Sequence, residues 1–382
     1  YLRDLVKKIY RHRLIHVYRD AVITEATGYI GNFVTKVKSE RGFSEIKHGA
    51  TVIATGADVY TPTEYLYGED DRVMTHLELE EQISKGDEKV INAESLVMIQ
   101  CVGCRNEDRN YCSRICCSES IKNALKLKEL NPQMDIHILF RDMRTYGFYE
   151  DYYREASEKD VKFIRWEPDD PPEVEAVEEE GRPVLRVTVT DQILGQKIAI
   201  DADRIALAAA VVPSATTQEV AGLFKVTLSL DGFFKEAHVK LRPVEFAADG
   251  VYLCGLAHYP KFIQETINQA YGAAGRALTL LANDIVVASG SICVVDEQKC
   301  IGCGACAAVC TYGALEIRST KQGDKVTINP VLCKGDGLCN TKCPTGAISL
   351  KHFTDEEILS EIAAMVQEKE IIQPMDSAVG DV

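Results

Sequence analysis

The chain has 382 residues and carries 43 Lys+Arg against 58 Asp+Glu, a formal charge of −15. This balance disfavours nucleic acid or an anionic membrane as main partner, leaves a basic docking partner open, and the length allows two or three domains with cores of their own. No apolar run approaches the ~20 residues of a membrane helix and no signal peptide opens the chain, so neither membrane insertion nor export is expected and the predicted location is cytoplasmic.

The first residues, "YLRDLVKKIYRHRLIHVYRDAVITEATG", read as a helix running into a strand of an established domain, so an upstream segment or a separate polypeptide is expected. Strands with turn glycines follow from 17 to 37 and through "GATVIATGADVYTP" (49 to 62), where an apolar strand meets Thr55 and Gly56. The strand "SLVMIQ" (95 to 100), a Cys-rich loop, a helix near Ser118 to Leu130 and the strand "DIHILFRD" (135 to 142) form a β-loop-α-β unit, which predicts a parallel sheet. The acidic, Pro-containing run "EPDDPPEVEAVEEEGRP" (167 to 183) reads as a solvated surface excursion. Alternating and then buried strands follow to about 213, and "DGVYLCG" (249 to 255) is a further buried strand leading into the helix "QETINQAYGAAGRALTLLAND". From about 291 to 350 the composition shifts to Cys and Gly, as in a small separate domain. "TDEEILSEIAAMVQEK" (354 to 369) reads as an amphipathic helical tail.

The chain contains 14 Cys. In a long acidic chain without a signal peptide, thiols in tight groups point to metal or cluster ligands rather than secreted disulfides. Cys254 and Cys293 stand outside the groups and read as small buried apolar residues. In "CVGCRNEDRNYCSRICC", Cys101, Cys104, Cys112, Cys116 and Cys117 occupy one loop at a helix start. That suits an anionic cluster held near backbone N–H groups, while a zinc knot or a redox disulfide fits the spacing too. In "CIGCGACAAVC", Cys300, Cys303, Cys306 and Cys310 have the C-x2-C-x2-C-x3-C spacing, which Cys333, Cys339 and Cys343 repeat. The expected ligation is crossed: Cys300, Cys303, Cys306 and Cys343 on one [4Fe-4S] cluster, and Cys333, Cys339, Cys310 and position 336 on the second. Position 336 is Asp, flanked by Gly335 and Gly337. Carboxylate is a harder donor than thiolate, so with Asp336 as ligand the second cluster is expected to be fragile and able to fall to [3Fe-4S].

"TVIATGADVYTP" resembles the strand and turn by which two-dinucleotide-domain flavoproteins return beneath FAD, and "DGVYLCGLAHYPKFIQETINQAYGAAGRA" resembles their closing strand, turn and flavin-facing helix. No G-x-G-x-x-G precedes Thr55, so the pyrophosphate fingerprint is expected upstream of Tyr1. The strand that would feed a nicotinamide fingerprint feeds the Cys-rich loop instead, so NAD binding there is not expected.

At "QCVG", "YCSRICC", "IKNALKLKELNP", "RDMRTYG", "DGFFKEAHVKLRPV" and the two ferredoxin runs, the chain resembles the A-type subunit of heterodisulfide reductase, the iron–sulfur flavoprotein of methanogens and of related complexes in anaerobic bacteria. The resemblance covers nearly the whole chain. It implies an α/β class, with a thioredoxin-reductase-like two-dinucleotide-domain core plus an α+β bacterial-type 2[4Fe-4S] ferredoxin domain. The implied division is 1–90, the first and incomplete part of the FAD domain; 91–212, a nicotinamide-type domain converted to an iron–sulfur site; 213–290, the closing part of the FAD domain; 291–350, the ferredoxin domain; and 351–382, the helical tail. The implied internal [4Fe-4S] ligands are Cys101, Cys112, Cys116 and Cys117, with Cys104 where the family has Ser. The implied flavin contacts are Val22, Thr55, Gly56, Gly255, Leu256, Lys261 and Thr266, and the Lys261 cation would stabilise reduced N5 or N1 in a catalytic role.

Two departures stand out: the family's N-terminal cluster domain and FAD fingerprint are absent, and Asp336 replaces a Cys. The implied function is an oxidoreductase subunit passing electrons between FAD, the internal cluster and two ferredoxin-type clusters, with bifurcation as a family property. The implied partners are the N-terminal half on a separate or upstream polypeptide, B- and C-type subunits, a hydrogenase or formate dehydrogenase input subunit, ferredoxin, and a second copy within a larger complex. The alternatives are a homologous flavin subunit of a quinone-linked sulfur-metabolism oxidoreductase or aromatic-ring reductase, and a redox or iron-sensing scaffold.

Overall fold

The computed structural model describes residues 1–179, 181–285 and 290–371. The helix Leu2–Arg11 buries none of its residues. An antiparallel meander follows, Ala21–Tyr29, Asn32–Ser39 and Gly42–His48. The short strand Thr51–Ile53 then pairs in parallel with Val251–Leu253, some two hundred residues later in sequence. Between these partners lies a five-stranded parallel sheet in the order Val73–Thr75, Arg204–Ala209, Ser95–Val102, Asp135–Phe140, Val161–Arg165. Its central strands are nearly continuous apolar runs because both faces are covered. Leu96, Met98, Ile136 and Ile138 pack with Leu127 of the helix Cys116–Leu130 on one face, and Val97, Ile99, Leu139 and Ile205 with Leu185 and Val187 on the other. A strand pair interrupted by a complete parallel sheet is the α/β arrangement expected of a two-dinucleotide-domain core.

The acidic run stays at the solvated surface, as expected, but part of it is regular. Glu173–Glu179 is a strand, antiparallel to Arg182–Asp191, which pairs in turn with Gln196–Ala202. As the outer strand of this small sheet it buries none of its residues fully, so its glutamates stay hydrated while its backbone pairs.

The Cys- and Gly-rich region forms two short helices, Ala305–Val309 and Leu338–Lys342, the hairpin Leu315–Thr320 with Gly323–Ile328, and the strand Cys293–Val295 antiparallel to Ile348–Leu350. Its core is largely sulfur: Cys293, Cys300, Cys306, Cys333 and Cys339 are all buried together. The tail helix Asp355–Ile371 begins at a reciprocal cap, the Glu357 carboxylate accepting from the Thr354 N–H (2.9 Å) and the Glu357 N–H donating to Thr354 Oγ1 (3.3 Å). Residues 372–382 of the expected tail lie outside the described residues. Among the described residues no helix is long and apolar enough to cross a membrane.

Candidate functional site

The strand Ser95–Val102 leads into the Cys-rich loop through a left-handed Cys101 (φ 66°) and Gly103 (φ 75°). A Cβ on Gly103 would lie 2.1 Å from the Tyr60 ring, so glycine is required where the loop folds back over the strand end. The loop returns as Cys116 and Cys117 open the helix Cys116–Leu130. Burial first, then the neighbouring Cys117, Cys101 and Cys112 thiols, push Cys116 well above the ordinary thiol range. Burial likewise pushes Cys117 up to about 11. Buried and mutually repelling, these thiols need a cation to become thiolates, and cluster iron meets that need. Among the described residues no three His, Cys, Asp or Glu side chains converge closely enough to hold a single metal ion. Cys101, Cys112 and Cys117 lie near enough to Cys116 for their thiols to act on it electrostatically. Cys104 is buried against Cys101 and Ser113.

The surroundings suit an anionic group. Arg105, Arg114, Arg141 and Arg144 line an open cleft beside Cys112. Arg105 pairs with Asp142 (2.5 Å) and approaches Cys101 Sγ (3.8 Å), and the Arg114 N–H donates to Cys112 Sγ (3.3 Å). Behind the Cys-rich loop, Ser120 Oγ donates to the Cys116 carbonyl (2.9 Å) and lies 2.8 Å from His76 Nε2. Asn123 Nδ2 approaches His76 Nδ1 (3.2 Å), so a neutral imidazole protonated at Nε2 satisfies both contacts. Burial, then Lys122, pushes the His76 pKa down to about 3. The unfolded chain therefore takes up protons below ~6.5 that the folded chain refuses, and stability falls as pH drops from ~6.5 toward 3. Between pH 7 and pH 5.5 this group should remove about 1 kcal/mol, and urea melts of His76→Gln should show a correspondingly flatter acid limb.

The flavin-type segments meet the Cys-rich loop through Arg114. Its guanidinium donates to the Pro260 carbonyl (3.2 Å), the Tyr146 hydroxyl (3.1 Å) and the Glu265 carboxylate (2.7 Å). Glu265 in turn accepts from the Phe262 N–H (2.8 Å) at the start of the helix Ile263–Leu281. Cys254 is buried, as expected, and Gly255 (φ 75°) follows it at the end of Val251–Leu253, beside the strand that runs toward Thr55 and Gly56. Leu256, Lys261 and Thr266 line one large cleft between this turn and the helices Cys116–Leu130 and Glu150–Glu158. Lys261 Nζ donates to the Gly255 (2.6 Å) and Tyr259 (2.7 Å) carbonyls. Burial lowers its pKa to about 8, against the pull of Glu265. Val22, 59% exposed on the meander, lies outside that cleft.

Sequence reasoning missed the hydrogen-bonded chain behind the Gly255 turn. His258 Nε2 lies 2.9 Å from Glu236, its Nδ1 2.7 Å from Gln269 Nε2, and Gln269 Oε1 accepts from the Gly255 N–H (2.9 Å). These residues are distant in sequence, and no local spacing marks them.

In the ferredoxin region one small cavity is lined by Cys300, Cys303, Cys306 and Cys343, the set expected on the first cluster from crossed ligation. Gly302 and Gly304 are left-handed, and Gly335 and Gly337 repeat this in the second loop. The repeat extends to the sulfurs: the Ala314 N–H donates to Cys310 Sγ (3.4 Å) and the Ala347 N–H to Cys343 Sγ (3.2 Å). Such N–H···S bonds stabilise thiolate ligands and tune cluster potential. The Asp336 carboxylate is exposed and accepts from the Leu338 N–H (3.2 Å). Lys334 of the same loop pairs with Asp249, beside the closing strand of the flavin-type segment.

The family model described as a 4Fe-4S dicluster domain matches residues 299–347. The A-type iron-sulfur subunit of CoB--CoM heterodisulfide reductase from Methanocaldococcus jannaschii is 37% identical over 340 residues, covering 85% of this chain and 51% of that protein. The A-type subunit of H(2):CoB-CoM heterodisulfide,ferredoxin reductase from Methanothermobacter thermautotrophicus is 36% identical over 343 residues, covering 85% of this chain and 50% of that protein. Among solved structures, thioredoxin reductase of T. acidophilum aligns with TM-score 0.46 and 13% identity over 74% of this chain and 81% of that one. The chain spans about half the length of the curated relatives it matches. Over that span, the chain belongs to the family of A-type heterodisulfide reductase subunits.

Proposed function

We propose that this chain is the FAD- and iron–sulfur-dependent electron-transfer portion of a heterodisulfide-reductase-like oxidoreductase. In this reading Cys101, Cys112, Cys116 and Cys117 hold an internal [4Fe-4S] cluster, and the ferredoxin domain holds two more. FAD, when bound, supplies the change between two-electron and one-electron transfer. The residues Thr55, Gly56, Gly255, Leu256, Lys261 and Thr266 border its ring, with Val22 further out. The Lys261 ammonium offers positive charge at the turn carbonyls, and Arg114 fixes that turn against the thiol loop.

The observation that carries the proposal is the Arg114 bridge, which joins the Cys112 sulfur, the Pro260 carbonyl and the Glu265 cap in one side chain and its own N–H. The Lys334–Asp249 pair supports a second junction, between the second-cluster loop and the flavin-type strand. Electrons are then passed to B- and C-type subunits or ferredoxin and enter from a hydrogenase or formate dehydrogenase subunit, with bifurcation at the flavin in a complex containing two copies. The name of the M. thermautotrophicus relative, which couples H2, heterodisulfide and ferredoxin, is consistent with this.

The helix Ile263–Leu281 leaves Ile267, Tyr271 and Leu278 exposed. This apolar stripe suits cover by the remaining half of the family's length, which would also bring the pyrophosphate fingerprint. The test is FAD titration of the 382-residue chain alone and joined to that other half. Weak binding alone and stoichiometric binding when joined, with cluster reduction on adding reduced ferredoxin, is expected. Stoichiometric FAD on the chain alone, or rapid reduction of bound FAD by NADH, would contradict the reading.

A further inference from the structure

Cys293, which sequence alone marks only as a small buried residue, stands in the second cluster's ligand group. It lies on the strand Cys293–Val295, is 1% exposed, and faces inward while Val294 faces out. Its N–H donates to Cys333 Sγ (3.4 Å), and its side chain is buried in one group with Cys333 and Cys339. The approach depends on Gly335, where a Cβ would lie 2.5 Å from the Ser291 carbonyl oxygen, so the loop and the segment entering this strand could not otherwise close together. Asp336 also lies near Cys339, but it is exposed and its carboxylate accepts from the Leu338 N–H at the start of Leu338–Lys342.

We propose that Cys293 supplies the fourth thiolate of the second cluster, with Cys310, Cys333 and Cys339, and that Asp336 is a helix-start residue rather than a ligand. The inference rests on the two-cluster reading of the ferredoxin domain. Iron prefers the softer sulfur donor, and here the sulfur is inside the ligand group while the carboxylate is in water. Ligation forms an Fe–S bond, displaces a water-derived ligand from that iron and releases the thiol proton to solvent, with no change in electron count. A chain that has lost the usual Cys from the C-x2-C-x2-C loop thereby keeps four thiolates around the cluster, the fourth coming from a strand far away in sequence.

The experiment compares the anaerobically purified full chain with Cys293→Ala, Cys293→Ser and Asp336→Ala by iron and acid-labile sulfide content, Mössbauer spectroscopy and EPR. Cys293→Ala should lose about one iron per chain and show the three-iron EPR signal in the oxidised state. Cys293→Ser, which keeps the volume with a poorer donor, should convert to the three-iron form on mild oxidation. Asp336→Ala should match the parent in iron content and in resistance to oxidation. The signal of the first cluster, held by Cys300, Cys303, Cys306 and Cys343, is the internal control for folding. A three-iron signal in Asp336→Ala, or full iron retention in Cys293→Ala, overturns the assignment. A parent whose ferredoxin domain carries iron for only one cluster overturns the two-cluster reading, and this assignment with it.

Discussion

Replacing Cys116 with Ala should remove about four irons per chain while leaving the ferredoxin-domain EPR signals in place. Cys116 opens the helix Cys116–Leu130 and is buried beside Cys117, with Cys101 and Cys112 acting on it, so no solvent ligand reaches that corner to take its place. The ferredoxin sulfurs form their own buried group on other elements, and their cavity does not draw on the Cys-rich loop. In the FAD-loaded assembly the same variant should slow electron transfer from flavin to the ferredoxin domain by at least tenfold, as read by rapid-freeze EPR; a tenfold slowing corresponds to about 1.4 kcal/mol of added barrier. Unchanged iron content would show that these thiols hold no cluster, and unchanged transfer with the irons gone would place the internal cluster off the route.

Arg114→Ala should separate the two halves of this junction without emptying either. The side chain makes three hydrogen bonds, one of them to the Glu265 carboxylate, and its removal takes a donor from the Pro260 carbonyl and leaves Glu265 with its Phe262 N–H bond but no guanidinium. Bonds from charged groups contribute roughly 1.5–3 kcal/mol each where they are desolvated, and this guanidinium is only partly so; a net loss of about 2 kcal/mol is expected. Chemical denaturation should show that loss. Hydrogen exchange should speed up at residues 255–266, while iron content stays at the parent level because the four proposed cysteine ligands are untouched. Arg114→Lys should recover only part of the loss, since an ammonium cannot hold the three divergent acceptors that the guanidinium fork reaches.

What the sequence made legible is what local spacing encodes. In the first ferredoxin loop two, two and three residues separate Cys300, Cys303, Cys306 and Cys310, with glycines among them, and the left-handed backbone at Gly302 and Gly304, repeated at Gly335 and Gly337 between Cys333 and Cys339, accords with that pattern. The β-loop-α-β unit was readable because both strands are mostly apolar, broken only by Ser95 and Gln100 in one and Asp135 and His137 in the other. The helix begins at Cys116, two residues before the position that its apolar periodicity suggests, since thiols carry no helix-start signal. Glu173–Glu179 was hidden because a strand in water needs no apolar face to pair its backbone. Cys293, the Glu236–His258–Gln269 chain and the Arg114 bridge were not legible, since each joins residues brought together by sheet register and domain packing. Cys293 reaches Cys333 only because its strand pairs with Ile348–Leu350 and Gly335 admits the Ser291 backbone.

If the Cys-rich loop and the ferredoxin domain together make this chain a three-cluster electron carrier, its metal content should say so at once. The decisive measurement is metal and acid-labile sulfide analysis of the anaerobically purified chain, with Mössbauer spectroscopy to assign the iron. A three-cluster carrier holds about twelve irons and as many sulfides per chain, no zinc, and three cluster environments, of which Cys116→Ala removes one. About eight irons together with one zinc, or with a reducible disulfide among Cys101, Cys104, Cys112, Cys116 and Cys117, would contradict it.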